Sequence, residues 1–187
     1  NGGLVGNDLL AGLTVAKADR RASWREPVNH LDRSFDTIRL LNEAFNASGR
    51  KLRVADGVEL ARPVELRPEV GAFGGHSFSI VAIGSNSKAV LVEQVSKCSE
   101  GALSTSVHSV DLGNNADLLW IVVQEKGQEE FHLGQLNVTL RANSKFRLFV
   151  LNAGGAVVRQ EVHAVTEGEG ADIQIRGVNL LEKTQHI

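Results

Sequence analysis

Methionine and tyrosine are absent from this chain of 187 residues, and cysteine and proline are scarce. The single cysteine cannot close an internal disulfide, which excludes the disulfide framework of a small secreted domain. The longest apolar run, Leu118 to Val123, is far too short to span a bilayer. Aromatic residues make up only 5% of the chain, too few for a platform on which sugars or bases stack. The absence of any methionine predicts a processed or trimmed chain.

The charge balance excludes a further class of protein. Twenty lysines and arginines against 22 aspartates and glutamates give a net charge of -2, whereas proteins that bind nucleic-acid phosphates usually carry a basic excess. Hydrophobic residues at 42% and charged residues at 22% are typical of a soluble globular domain. The apolar stretch Leu9–Ala16 is a poor signal peptide because no basic residue precedes it and Asp8 adjoins it, so we expect a cytoplasmic protein.

A helical pattern begins after residues 1–30, which show no clear periodicity and are predicted to be a mobile segment. Ser48-Gly49 is expected to end this helix, because glycine readily adopts the left-handed conformation. Asp56-Gly57 then lies between two short apolar runs and predicts a hairpin turn. Residues 31–70 are therefore predicted to form a helix and a hairpin. The apolar face of the helix consists of Leu31, Phe35, Ile38, Leu41 and Phe45.

Only strand-like runs follow residue 78. They are rich in valine, isoleucine and phenylalanine, and short clusters of glycine, asparagine, serine and aspartate separate them. The eight runs are Phe78–Ile83, Ala89–Val95, Leu103–Leu112, Leu118–Val123, His132–Leu140, Lys145–Leu151, Ala156–Ala164 and Ala171–Leu180.

Four of the turns that open these strands recur at a nearly fixed step. Their second positions are Asn86, Asn115, Asn143 and Glu169, so the same turn returns roughly every 28 residues. A repeat of strands and tight turns is typical of a solenoid, in which each unit buries its apolar face against the next. We therefore predict that residues 71–187 form a right-handed parallel β-helix in a mainly β chain, with an up-and-down barrel as the alternative.

The second half of the chain resembles a known family through an ordered set of short motifs. They are Glu129–Leu136, Asn143–Phe146, Leu151–Gly155, Val158–His163, Gly168–Ala171, Gly177–Leu181 and Gln185–Ile187. In this order and spacing the chain resembles the SufB/SufD family of iron–sulfur cluster assembly proteins, most strongly over Val110–Ile187. The resemblance extends loosely to Leu41–Phe45 and Pro63–Leu66. Within the family, Arg159–Glu161 and the Gly-Glu-Gly turn are more similar to the SufD branch than to the SufB branch.

The resemblance implies a β-helix fold and a role as a non-catalytic scaffold rather than an enzyme. Family members pair as SufB with SufD, each binds a SufC ATPase, and the assembly builds clusters for other proteins. The resemblance also implies that this chain holds no cofactor by itself, and that iron or a cluster is bound only in the assembled complex. Members of the family continue past the equivalent of Ile187 into further coils and a helical region that carries the SufC-binding and SufB-contact surfaces and a metal-handling histidine. No functional residue of the family is therefore assigned to this chain.

Two expectations concern contacts of the whole chain. Because strand Ala171–Leu180 ends the repeat without a cap, we expect the chain to be a piece of a longer one or to associate with itself through this open end. We expect neither a nucleic-acid partner nor a membrane partner.

Candidate metal ligands are few. Cys98 is the only thiol and could serve as a sulfur or cluster ligand, but one cysteine cannot supply the usual four thiolates, so a cysteine without a chemical role is the favoured interpretation. The separation of His132 and His163 is near enough to one repeat to allow them to stack. The favoured interpretation of the histidines is that they are exposed strand residues that bind no metal. They are His30, His76, His108, His132, His163 and His186.

No motif for catalysis stands out. Gly71–Gly75 is glycine-rich, but no Gly-Lys-Ser/Thr follows it, so it does not predict a phosphate-binding loop. Four carboxylates at strand ends or turns could supply a pair for glycoside hydrolysis, but we favour the interpretation that they are solvated turn residues. They are Asp111, Asp117, Glu129 and Glu130. Trp120 is predicted to lie in the core. Two alternatives to the scaffold stay open, a β-helix carbohydrate-active enzyme and a structural or adhesive solenoid.

Overall fold

A computed structural model describes residues 10–18, 36–45, 48–68, 70–71 and 74–187. Within these ranges the chain forms one helix and twelve strands. In chain order they are β1 (Leu13–Lys17), α1 (Thr37–Ala44), β2 (Ser48–Val54), β3 (Val64–Leu66), β4 (Val70–Gly71), β5 (Gly74–Ile83), β6 (Lys88–Val95), β7 (Leu103–Leu112), β8 (Asp117–Lys126), β9 (Phe131–Leu140), β10 (Lys145–Gly154), β11 (Val157–Thr166) and β12 (Asp172–Leu180).

The strands form two sheets that face each other across one core. Sheet A has the order β1-β2-β5-β7-β9-β11, with β4 paired to β5 beside this path, and sheet B has the order β12-β10-β8-β6-β3. Every pair is parallel except β1 with β2 and β4 with β5. The chain therefore winds as a parallel β-solenoid of about five turns, which confirms the predicted β-helix and excludes the up-and-down barrel for the described strands.

One left-handed residue marks the corner of each coil, where the chain passes from sheet A to sheet B. Their backbone φ angles are positive, between 55° and 74°. The residues are Gly57, Asn86, Asn115, Asn143 and Gly170. Asparagine and glycine adopt this conformation at lower cost than other residues, which explains the recurring turn chemistry. Backbone hydrogen bonds join the stacked corners, as from Asn86 N–H to Asn114 O at 2.9 Å.

Two predictions about these corners were wrong. Asp56-Gly57 does not close a hairpin, because β2 pairs with β1 and β5, while Glu59 forms a parallel bridge with Lys88 of sheet B. Gly57 is instead the corner of the first coil. In the last coil the turn position equivalent to Asn143 is Gly170 and not Glu169, because Lys145 pairs with Asp172.

The N-terminal region also differs from expectation. Part of the segment 1–30 that was predicted to be mobile forms β1, and residues 1–9 and 19–30 lie outside the described residues. The helix ends at Ala44 rather than at Ser48-Gly49. Gly49 lies in β2, where a side-chain carbon would collide with the ring of Phe78. Glycine is needed there for close packing and not for a helix stop.

Helix α1 packs on the outer face of sheet A, against β5, β7 and β9. Asp36 caps its N-terminus by accepting a hydrogen bond from Arg39 N at 3.2 Å. Asn42 is buried and donates to Ser77 O at 2.8 Å and to Thr105 Oγ1 at 2.9 Å. No helix among the residues described is long and apolar enough to cross a membrane.

Candidate functional site

The interior between the two sheets is apolar on one side and polar on the other. The inward positions of β8 illustrate the change, and they are Leu118, Trp120, Val122, Gln124 and Lys126. Each of these side chains is buried, because alternate residues of a strand face the same side. The apolar end adjoins the asparagine corners and includes Trp120, as predicted. The polar end holds the titratable groups of the candidate site.

Four buried side chains form a continuous chain of polar contacts in this interior. Glu93 Oε1 of β6 lies 3.0 Å from His108 Nε2 of β7, and His108 Nδ1 lies 2.6 Å from Ser79 Oγ of β5. The indole N–H of Trp120 donates to Glu93 Oε2 at 3.3 Å. We call Ser79, Glu93, His108 and Trp120 the Glu93 cluster. It ties both sheets together across successive coils.

The neighbours of Glu93 decide its charge. Burial opposes ionisation of this carboxyl group, but the charge of His108 and the polar contacts with His108 and Ser106 hold its pKa at about 2. The Glu93 cluster therefore contains a buried carboxylate that stays ionised throughout the physiological range, beside His108 and the indole N–H of Trp120.

His132 of β9 lies beside this cluster and behaves in the opposite way. Burial disfavours its charged form and lowers its pKa to about 4, although Glu93 counteracts part of the effect. The ring contacts two hydroxyl groups, Ser104 Oγ at 3.1 Å from Nδ1 and Ser106 Oγ at 3.5 Å from Nε2. His132 is therefore a neutral interior histidine at physiological pH.

A second cluster occupies the polar end of the coil. Lys126 Nζ at the end of β8 lies 2.9 Å from Cys98 Sγ, 2.7 Å from Ser96 O and 3.4 Å from Glu130 Oε2. The same Glu130 oxygen accepts the backbone N–H of Cys98 at 2.9 Å. We call Cys98, Lys126 and Glu130 the Cys98 cluster. Lys126 and Glu130 are buried, whereas Cys98 is partly exposed.

The two clusters differ in what they can do chemically. Ser79, His108 and Glu93 lie in the order of a nucleophile, a base and an orienting acid, but all three are nearly inaccessible and no substrate can reach Ser79. The Glu93 cluster therefore acts as an internal hydrogen-bond network. The Cys98 cluster places a partly exposed sulfur atom against a buried amine and a buried carboxylate, so it combines access with reactive groups.

The structure does not stack His132 on His163. His132 is opposite Val158 and His163 is opposite Asn137 in the β9–β11 register, and the two histidines lie on opposite faces of sheet A. His163 instead contacts Glu161 Oε2 at 3.1 Å. His108 and His132 are buried and not exposed as expected.

The remaining histidines are dispersed. His76 stacks on Phe45 with ring centroids 4.1 Å apart, and burial, followed by the charge of Lys126, lowers its pKa. The side chain of His186 is exposed, and His30 lies outside the described residues. Over the described ranges, no group of three or more His, Cys, Asp or Glu side chains is placed to hold a metal ion.

The carboxylates that sequence reasoning considered for glycoside hydrolysis do not pair with each other. Asp111 contacts Arg141 at 3.3 Å and Asp117 contacts Arg147 at 2.6 Å. Glu129 is exposed, but Glu130 is buried in the Cys98 cluster and is not a solvated turn residue. The carbohydrate-active alternative therefore lacks its catalytic pair at these positions.

Sequence reasoning missed Ser79, Glu93 and Lys126 as interior residues. A signal for Glu93 was present, because it shares its alternation with Ala89, Leu91 and Val95 of the same strand. A charged residue on the apolar face of a strand indicates an interior polar network. Lys126 lay beyond the end of the predicted run Leu118–Val123, so the same alternation was not followed far enough.

Comparison with known proteins identifies a family for most of the described strands. The family model described as the SufBD core domain of SUF-system iron–sulfur cluster assembly matches residues 70–187. A search of the curated proteins finds no match. The matched residues include every strand from β4 to β12, and with them both interior clusters. The chain belongs to the SufB/SufD family of SUF-system iron–sulfur cluster assembly proteins.

Proposed function

We propose that the chain is a non-catalytic scaffold subunit of the SUF machinery, which assembles iron–sulfur clusters. The observation that carries this proposal is the match of the SufBD core domain to four of the five coils. A solenoid offers broad sheet faces and strand edges for protein contact rather than a substrate pocket. The inaccessible Glu93 cluster supports a structural role over a catalytic one.

Within the family, we place the chain in the SufD branch. The support comes from the Arg159–Glu161 stretch and the Gly-Glu-Gly turn of residues 168–170. Its proposed partners are a SufB-like protein and a SufC-like ATPase. The sequence offers no phosphate-binding motif at Gly71–Gly75, so in this proposal ATP hydrolysis belongs to the SufC-like partner.

The outer edge of sheet B is the surface that we expect another β-helix coil or another subunit to cover. Among the described strands β12 pairs only with β10, and all of its residues are exposed. Ile175 and Leu180 are 56% and 58% exposed. An uncovered strand edge with apolar side chains is a ready template for pairing.

Iron and sulfide are the cargo of this proposed assembly and not resident cofactors of the chain. The polar groups of the two interior clusters contact one another, and no group of three or more His, Cys, Asp or Glu side chains among the described residues is placed to hold a metal ion. We therefore propose that metal is held where subunits meet. Iron and sulfide analysis of the purified complex, compared with the isolated chain, tests this part of the proposal.

Co-expression without oxygen tests the scaffold role. The longest form of this protein, carrying a tag, is produced together with the SufB-like and SufC-like proteins of the same organism. We expect capture through the tag to retain both partners, while a tagged β-helix protein of unrelated function retains neither. If a folded chain captures neither partner, the scaffold role is contradicted and the structural solenoid becomes the better account.

A further inference from the structure

The Cys98 cluster joins three separate segments at one point. Cys98 lies in the loop after β6, Lys126 ends β8, and Glu130 lies in the turn before β9. Nζ of Lys126 and Sγ of Cys98 are only 2.9 Å apart, although 28 residues separate them in the chain. This contact brings the only thiol of the protein against a primary amine.

The amine is held in place from several sides. Its side chain is 1% exposed, and Nζ donates to Ser96 O at 2.7 Å and faces Glu130 Oε2 at 3.4 Å. Glu130 also accepts the N–H of Cys98, so one carboxylate orients both reacting residues. The Cys98 sulfur contacts Ser96 O at 3.7 Å but is partly exposed, so a small oxidant can approach it.

We propose that Cys98 and Lys126 form a modification site that hydroperoxides convert into a sulfur–nitrogen crosslink. In the first step the Cys98 sulfur attacks one peroxide oxygen, the O–O bond breaks and a sulfenic acid forms, while the other oxygen leaves as water from hydrogen peroxide or as an alcohol from an organic hydroperoxide. Sulfur loses two electrons and the peroxide oxygens gain them. In the second step the Nζ lone pair attacks sulfur, the S–N bond forms, and the sulfenic oxygen leaves as water.

Proton balance is met by the cluster itself. Glu130 Oε2 faces Nζ at 3.4 Å and accepts the proton that frees its lone pair, and after the attack a second proton passes from the nitrogen to the sulfenic oxygen, which leaves as water. The closed product is a sulfenamide, which is the known fate of a sulfenic acid beside a nitrogen nucleophile. Thiols reopen such a bond, so the crosslink is reversible. It fastens the loop that carries Cys98 to the end of β8.

Mass spectrometry of the purified chain tests this proposal. After treatment with one equivalent of hydrogen peroxide, we expect the intact mass to fall by about 2 Da, because two hydrogen atoms are lost and no oxygen is retained. A peptide map is expected to contain a linked pair of peptides that include Cys98 and Lys126, and dithiothreitol is expected to separate them. Cys98→Ser is expected to show no mass change.

Two lysine variants distinguish the crosslink from simple oxidation. Lys126→Arg keeps the positive charge facing Glu130 but removes the primary amine, so the sulfenic acid is expected to accumulate and to react with dimedone. Lys97→Arg alters the exposed neighbour of Cys98 and is expected to leave the crosslink intact.

Retention of oxygen on wild-type Cys98 without a linked peptide overturns the proposal. Loss of about 2 Da in Lys126→Arg also overturns it, because the bond would then involve another nitrogen. If Lys126→Arg fails to fold, as judged by circular dichroism, the wild-type peptide map alone decides the outcome.

Discussion

Single residues in the interior explain why this solenoid can contain charge. Glu93 is buried, yet it receives a hydrogen bond from the indole of Trp120, contacts Ser106 and faces His108 at 3.0 Å. A buried carboxylate is costly unless its oxygens are paired, and each of these three neighbours lies on the strand of an adjacent coil. The stability of the Glu93 cluster therefore depends on the correct stacking of neighbouring coils.

Replacing Glu93 with glutamine tests this dependence. Glu93→Gln keeps the size of the side chain but removes the charge opposite His108, and we expect the free energy of unfolding to fall by about 3 kcal/mol. Urea denaturation measures the change. Glu59→Gln is the matched control, because Glu59 pairs with Lys88 at 3.0 Å on the surface, and we expect a loss below about 1 kcal/mol. Equal losses in the two variants would contradict an interior role for Glu93.

His132 predicts a specific dependence of stability on pH. Its pKa is about 4 in the folded chain, against an ordinary value of 6.5, so the unfolded chain binds more protons between these limits. The stabilisation that neutral His132 gives to the folded chain is fully present above about pH 6.5 and is lost as the pH falls toward about 4. The free energy of unfolding falls by a few kcal/mol at most over this range. Glu93, whose pKa is lowered from 4.5 to about 2, adds a further loss only below about pH 4.5.

Urea unfolding at a series of pH values separates these two effects. We expect His132→Asn to flatten the decline between about pH 6.5 and about pH 4 and to leave the decline at lower pH in place. His186→Asn changes an exposed histidine and is expected to retain the wild-type profile. An unchanged slope in His132→Asn would show that the neutral state of His132 is not linked to folding.

Among the secondary-structure elements, the corners between strands align the coils. Asn86, Asn115 and Asn143 adopt nearly the same left-handed conformation, and Asn115 Nδ2 donates to Asn86 Oδ1 at 3.0 Å. Each of these corners also forms a backbone hydrogen bond with the next corner. The stacked asparagines therefore fix the register between one strand pair and the next, and with it the positions of the interior groups.

Asn115→Ala tests the contribution of one corner. Alanine in a left-handed conformation costs about 1–2 kcal/mol, and the hydrogen bond to Asn86 is lost as well, so we expect a destabilisation of about 2 kcal/mol. Asn115→Gly removes the side chain without the backbone strain and is expected to cost less. Asn114→Ala changes the exposed preceding residue and serves as the control in thermal unfolding. If glycine were no better tolerated than alanine at position 115, backbone strain would not explain the asparagine.

For the molecule as a whole, the repeat was predictable but the number of coils was not. Alternating apolar strands and recurring asparagine turns sufficed to predict the solenoid. The first coil was missed, because Asp-Gly suits a hairpin turn as well as a solenoid corner. The separation of His132 and His163 suggested stacking, but the β9–β11 register places Val158 opposite His132. His163 lies an odd number of positions beyond Val158, which turns its side chain to the other face of the sheet.

The interior clusters were harder to predict for a physical reason. Contacts such as Lys126 with Cys98, or Ser79 with His108, connect residues one coil apart, and the length of a coil varies along the chain. Sequence spacing therefore predicts the partner of an interior residue only to within a few positions. Three-dimensional register is needed to decide which polar side chains face one another.

The mass of the complex in solution decides whether the chain is a scaffold subunit. Light scattering on the longest form of the protein, co-purified without oxygen with its SufB-like and SufC-like partners, measures that mass. The scaffold role predicts one species whose mass exceeds that of any single subunit and whose composition includes all three proteins. A folded chain that elutes at its own mass, with both partners in separate fractions, would contradict it.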